Sequence, residues 1–544
     1  MTWQRTIGID LALEGQHVAV VCDQQGEVLN KNPFLFTTNL QELEELISKF
    51  IPQGTDKKQV SVVMEPTSNA WLIISSFFLS RGFSVFIIKT QKSYDLRQFF
   101  KKHAKTDCID AKTLAKMPFV DPEGLNPLIL SGKDYFSLQK LIKFRENTVN
   151  AISECKQKIY AYFQLLNPKL MRLFSSDRFT NLAKAFYARY ANPFKIKKDG
   201  FKKFEAYLNK KCFGMPKEDI IKRMFETSIE ILNVHQDIIS NSETKELPYD
   251  METIQYLINE ELDTIKFLEK KETETEKKIK ELYDKIDPYK ILKGIKGFGG
   301  NIIAPAILAF TGSVKRFACI RDYLGYVGLV PKTKQSVKPA KEGLKITKAS
   351  QKLLKKYYCL AAETTRRYDI EFAHKYKMLI NQGHHHQQAI CALGNMLARR
   401  VYSLLKQREE ALEANDLLKL QNIQYELRDL NHKAITDEEA LAICKRDYPS
   451  KKEEHARLLK QKNEKAATAS SSGQSSLSGT KPKKGNSTIS HNVQPSQDLQ
   501  SSLTIAYILA QPDELIQELI DKGVLDKNML SLSKNDSNLF ITCS

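Results

Sequence analysis

An α/β domain at the N-terminus followed by a mainly helical remainder is the fold class the sequence predicts. Three observations predict it. Apolar strand-like runs alternate with helix-like stretches through residues 1–120, long charged stretches with apolar residues at helical spacing follow, and residues 451–500 carry few large apolar side chains.

The strand Thr6-Ile7-Gly8-Ile9-Asp10 opens the series, and His17–Cys22 and Val28–Phe36 read as two more strands joined through a turn at Gln24-Gln25-Gly26. Thr38 with Gln41 makes a capping box for a helix reaching about Phe50. Val60–Glu65 is a further strand, Ala70–Arg81 a helix stopped by Gly82, and Ser84–Ile88 a buried strand. Lys105-Thr106-Asp107-Cys108-Ile109-Asp110-Ala111 then starts the last helix, whose two aspartates, three apart, share a face. Three strands, helix, strand, helix, strand, helix is the order of a ribonuclease-H-like (RuvC-like) domain.

That order puts Asp10, Glu65, Asp107 and Asp110 at strand ends and on one helix face. Carboxylates so placed suit a hard cation such as Mg2+, with Mn2+ as an alternative. Two such ions roughly 3.5–4 Å apart clamp the attacking and leaving oxygens of a phosphodiester. A single Asp at a strand end is ordinarily a turn residue, but the ordered set of four argues for a metal site.

Lys and Arg number 83 against 64 Asp and Glu, a surplus of 19 that fits a polyanionic partner. The longest apolar runs, Trp71–Leu79 and Ile302–Phe310, are far short of the roughly 20 residues a membrane span needs, and no signal-like segment opens the chain. Nine cysteines without a C-x-x-C pair suggest neither zinc nor a disulfide framework. A cytoplasmic setting without membrane contact follows.

Residues 121–288 read as a helical, coiled-coil-like region. Ile254, Ile258, Ile265, Leu268, Ile279 and Leu282 form a seam interrupted by Glu261, Glu272 and Thr275. Within it, residues 168–250 look irregular and rich in Lys, Phe and Tyr, either a small insert domain or a basic nucleic-acid surface. Residues 289–408 form a second compact, mainly α unit. It opens with Gly294-Ile295-Lys296-Gly297-Phe298-Gly299-Gly300 ahead of a helix-like Asn301–Phe310. This is either the phosphate-gripping hairpin of a helix-hairpin-helix element, with Gly297 and Gly299 offering backbone N–H groups, or a tight interhelical turn. A helical extension over 409–450, a disordered linker over 451–500 and a short helical tail over 501–544 complete the chain. Three consecutive histidines, His384–His386, cannot all face one ion on a helix and read as a loop or phosphate contact.

Nine lysines and one acid, Glu342, fall within residues 332–356. Lys332, Lys334, Lys338, Lys341, Lys345 and Lys348, with Lys105 near the acids, are the candidate phosphate contacts. Ser336 sits among them, and nothing local makes it a nucleophile. Ile7-Gly8-Ile9-Asp10, Glu65-Pro66-Thr67, Lys105–Ala111, Gly294–Gly299 and Tyr326-Val327-Gly328-Leu329-Val330-Pro331 occur in the order of one family's signatures. The chain resembles the insertion-sequence one-ten transposases, relatives of the Piv/MooV DNA invertases, over roughly residues 5–165 and 285–405.

The resemblance implies a DNA transposase or recombinase with a RuvC-like DEDD catalytic domain and a C-terminal transposase domain. It implies that the four acids bind magnesium and that a serine, matching Ser336 by position, attacks DNA to form a covalent phosphoserine. It also implies a homodimer or homotetramer with acids and serine contributed by different protomers, a non-coding bridge RNA as guide, DNA at element ends and target, and a prokaryotic, nucleoid-associated location. Three positions depart from the family pattern. Ser68 follows Glu65-Pro66-Thr67 where glycine is usual, Val337 follows Ser336 in place of glycine, and Lys345-Ile346-Thr347-Lys348-Ala349-Ser350 stands near an Arg-x-Ser-Lys-x-Gly pattern. The competing functions are a junction-resolvase-like nuclease using the acids alone and an inactive nucleic-acid-binding descendant.

Overall fold

In the computed structural model, the described residues are 3–67, 69–100, 106–174, 178–211, 218–331, 346 and 350–449, all within the compact unit Met1–Leu458. The N-terminal part comprises β1 (Arg5–Asp10), β2 (His17–Cys22), β3 (Phe34–Phe36), α1 (Leu40–Phe50), β4 (Val60–Met64), α2 (Ala70–Ser80), β5 (Ser84–Ile87), α3 (Thr90–Phe100) and α4 (Asp107–Val120). Its five strands lie in the order β3-β2-β1-β4-β5, antiparallel across β1–β2 and β2–β3 and parallel across β1–β4 and β4–β5. This mixed five-stranded sheet fits the ribonuclease-H-like domain expected from the sequence.

Strand alternation sorts the side chains into two layers. Ile7, Ile9, Val62 and Met64 pack with Leu43 and Leu46 of α1 and Ile74 and Phe78 of α2. On the opposite face Val18 and Val20 meet Ala111 and Ala115 of α4, while Val63 and Phe86 meet Leu96 of α3 and Leu114 of α4. Gly8 permits the close approach of α4 to β1. A Cβ there would lie 2.1 Å from the Ala111 carbonyl oxygen and 2.2 Å from the Ala115 nitrogen.

Three local expectations are corrected. The third strand is interrupted rather than continuous: Val28 bridges Cys22, the Asn30 side chain then takes over, accepting from Val21 N at 2.8 Å and donating to the Ala19 carbonyl at 3.0 Å, and regular pairing resumes at Phe34–Phe36. The cap of α1 is Asn39, whose side chain accepts from Gln41 N at 2.8 Å, whereas the Thr38 hydroxyl bonds His17 Nε2 at 3.0 Å. A helix, α3, stands between β5 and α4 where the sequence reading placed none.

Next comes α5 (Lys133–Leu166), then α6 (Asn181–Tyr190), α7 (Pro193–Lys211), α8 (Glu218–Asn241) and α9 (Met251–Ile286). Helix α9 runs antiparallel along α5, as the pairs Asp134–Lys285 (2.9 Å), Arg145–Glu276 (3.0 Å) and Lys158–Glu261 (2.9 Å) record. The stretch that looked irregular is largely helical. Its aromatics Phe174, Phe186, Tyr187, Tyr190 and Phe204 form a core with Phe163 of α5 and Ile258, Leu262 and Ile265 of α9. Aromatic residues mixed with lysine hid this periodicity, because the same Phe and Tyr serve core and basic surface compositions alike.

The remaining helices are α10 (Ile303–Thr311), α11 (Ile320–Val327), α12 (Lys352–Thr365), α13 (Ile370–Asn381), α14 (His386–Glu413), α15 (Leu417–Asn422) and α16 (Asp437–Asp447). Their core includes Ile307, Phe310, Tyr323, Tyr358, Leu397 and Val401, and takes in Leu138 and Ile142 of α5 with Ile279 and Tyr283 of α9. The histidine triplet starts α14. His385 caps it in a capping box with Gln388, and His386 Nδ1 lies 3.0 Å from the Tyr376 hydroxyl. Among the described residues no helix is long and apolar enough to cross a membrane.

Candidate active site

Parallel pairing in the register Ile9↔Met64 brings the ends of β1 and β4 side by side, so Asp10 and Glu65 are neighbours at one edge of the sheet. Helix α4 reaches the same edge with its N-terminus. Thr106 caps it, its hydroxyl accepting from Ile109 N at 3.3 Å, and Asp107 and Asp110 lie in the first turn. Unpaired N–H groups and the helix dipole favour negative charge there. The four predicted acids line one open cavity of about 640 Å³, with Leu11, Leu13, Glu14, Thr67, Thr90, Ser93, Tyr94 and Arg97.

Helix α3 supplies the functional groups that the sequence reading missed. The Ser93 hydroxyl donates to Glu65, and Arg97 Nη1 donates to Asp110 Oδ1 at 2.6 Å. Both members of the Arg97–Asp110 pair are largely buried, with side chains 13% and 12% exposed. Oxygen-only donors on four carboxylates fit a hard divalent cation in chemistry. Among the described residues, however, no three acids stand close enough together to grip one ion. Two of the four carboxylates are engaged by α3 in this arrangement. The signal that could have exposed this helix is the spacing Ser93, Leu96, Arg97, which puts an anchoring leucine beside a hydroxyl and a cation on one face.

The second set of predicted residues is only partly in view. Gly297 has φ +97°, and a Cβ there would lie 2.6 Å from the Ala361 carbonyl and 2.9 Å from the Thr365 hydroxyl oxygen, so glycine is required for a tight turn against α12. Gly299 faces open space. The Thr365 hydroxyl also donates to the Lys296 carbonyl, fixing the turn to α12. Lys105, Lys332, Lys334, Ser336, Lys338, Lys341, Lys345 and Lys348 lie outside the described residues. On the same C-terminal helices, a cavity of about 460 Å³ is lined by Arg366, Arg367, Tyr368, Lys445 and Tyr448 with Leu441 and Cys444, cations and phenols together.

A mixed sheet with acids gathered at one edge, followed by helices, is the arrangement of a ribonuclease-H-like domain joined to a helical unit. Comparison with known families makes the class specific. A family model described as a transposase, of the DEDD type of IS110 elements, matches residues 7–168, and a second, described as the transposase IS116/IS110/IS902 family, matches residues 289–377. No curated protein matches the chain. The chain belongs to the IS110 family of transposases and is an enzyme that acts on DNA.

Proposed function

We propose that this transposase cuts and rejoins DNA by serine transesterification at a composite centre made of the four acids and Ser336. The observation that carries the reading is the meeting of Asp10, Glu65, Asp107 and Asp110 in one cavity from three separate elements. These carboxylates would hold Mg2+, or Mn2+, once Ser93 releases Glu65, with Asp110 keeping one oxygen on Arg97 and offering the other. When bound, the metal supplies electrostatic stabilisation of charge on the reacting phosphate. Ser336 Oγ attacks phosphorus as its proton leaves to a base, one ester bond forms, and another breaks to free a sugar hydroxyl that takes up a proton. Bond energy is kept in the protein–DNA link, so rejoining is the same exchange in reverse.

Lysines dense around Ser336 supply sequence-independent grip on the phosphates. Sequence choice is then delegated to base pairing by a non-coding guide RNA, as the family resemblance implies, in a homodimer or homotetramer acting in a prokaryotic cytoplasm. The cations and phenols around Arg367 and Tyr368 are suited to the same nucleic acids.

Protein, magnesium, cognate DNA and the structured RNA encoded beside the element form the test. A covalent protein–DNA adduct is expected, lost in both Ser336→Ala and Asp10→Asn. Nicking without an adduct, surviving Ser336→Ala, would replace this reading by an acid-only nuclease. DNA binding with no turnover that Asp10→Asn alters would leave only a binding protein.

A further inference from the structure

Arg97 is a cation placed inside an acid cavity, and its donors are mostly unspent. A guanidinium carries five N–H donors in a planar fork. Among the described residues, Nη1 alone of these is hydrogen-bonded, to Asp110 Oδ1 at 2.6 Å. The side chain is nevertheless largely buried and lines the cavity shared by the four acids. Its ring neighbour is Tyr94, with the guanidinium carbon 5.4 Å from the ring centroid. The helix that carries it buries Ser93 and Leu96 and is tied further by Lys92, which pairs with Asp121 at 2.6 Å and donates to the Gly124 carbonyl at 2.8 Å.

We propose that Arg97 grips the reacting phosphate, with Asp110 as the anchor that aims it. This rests on the cavity being the cutting centre. A phosphodiester entering a site lined by Asp10, Glu14, Glu65, Asp107 and Asp110 meets five carboxylates, and among the described residues that line it Arg97 is the cationic side chain. Arginine suits the task because its fork matches two phosphate oxygens while a third N–H keeps the carboxylate. Charge held in place before the reaction also needs no reorganisation as negative charge builds on the phosphate oxygens. Lysine in its place would keep the charge and lose the fork.

The test uses the full chain, its flank-encoded RNA and synthetic duplexes carrying the element's own ends. Single methylphosphonates, neutral at one position, are scanned along the duplex, and binding is measured in calcium. Wild type is expected to lose affinity several-fold at one position, and Arg97→Ala to be indifferent at that position alone. In magnesium, cutting by Arg97→Ala and Arg97→Gln should fall by about 10²–10³. Arg97→Lys should recover part of it, and circular dichroism should be unchanged. No position that distinguishes wild type from Arg97→Ala, or equal loss of cutting on phosphodiester and methylphosphonate, overturns the proposal and leaves Arg97 as a prop for Asp110. Asp10→Asn separates the two readings. If it cuts as wild type does, the cavity is not the cutting centre, whatever the binding scan shows.

Discussion

A single missing side chain decides whether the acids can meet. Gly8 lies on β1 two residues before Asp10, and the backbone of α4 occupies the space where its Cβ would be. Both nearest atoms, the Ala111 oxygen and the Ala115 nitrogen, are backbone, so a rotamer change cannot relieve the clash. Gly8→Ala must therefore push α4 away and carry Asp107 and Asp110 from Asp10 and Glu65. Overpacking of this kind costs at least about 1–3 kcal/mol. A lowered melting temperature and loss of DNA cutting are expected together. Gly325→Ala is the matched control: nothing lies within 4 Å of its Cβ, in mid-helix, so stability should hold or rise by about 0.5–1 kcal/mol. Equal melting of Gly8→Ala and wild type would refute the close-packing account.

At the scale of elements, buried charge ties the long helices to the C-terminal unit. Glu146 of α5 is buried, accepts from Tyr357 and Lys356 of α12, and lies 3.4 Å from Arg145, which also pairs with Glu276 of α9 at 3.0 Å. Burial raises the Glu146 pKa, but the hydrogen bonds from Lys356 and Tyr357 outweigh it and hold the carboxyl below its usual range. A depressed folded pKa contributes stability above the unfolded value of 4.5, and that contribution fades as pH falls through the folded pKa. Glu146→Ala removes one partner of a buried cluster and should cost about 3–5 kcal/mol at neutral pH. The gap from wild type should narrow on acidification below pH ~4.5, as urea melts at successive pH values will register. These couplings were not legible in the sequence, because Glu146, Lys356 and Glu276 look like ordinary charges on amphipathic helices. Periodicity and turn residues did disclose β1, β2, α2 and α9, whose apolar seam is long, but not the antiparallel pairing of α9 with α5. Helix α3 escaped because its Tyr94, Phe99 and Phe100 are exposed and its buried positions few, so no apolar stripe marks it. The acids were legible through their strand-end and helix-start positions, but Arg97 was not. Its meaning comes from the sheet edge it faces, not from its neighbours in sequence.

Across the whole molecule, the two halves of the proposed centre are separated by 225 residues between Asp110 and Ser336, with the α5–α9 pair interposed in the chain. A long antiparallel helix pair is a spacer, and the core at its base joins Leu138 and Tyr283 to the C-terminal helices. Such a layout suits a protein whose acids serve a serine on another copy, since exchange between DNA strands needs two centres held in one assembly. Complementation tests the arrangement directly. Asp10→Asn and Ser336→Ala, each inactive alone, are mixed with the end duplexes, RNA and magnesium. If acids and serine act across protomers, mixed assemblies contain an intact centre, and a covalent adduct should return on the Asp10→Asn chain, which still carries the serine. Mass-tagged chains resolved on a denaturing gel identify which one is linked. Random pairing in a dimer leaves half the assemblies mixed, each with one intact centre of two, so adduct should reach about a quarter of the wild-type level. No adduct in any mixture, with both chains shown to co-assemble, would place acids and serine of the same protomer together. The helix pair would then be a hinge that folds one chain onto its own serine.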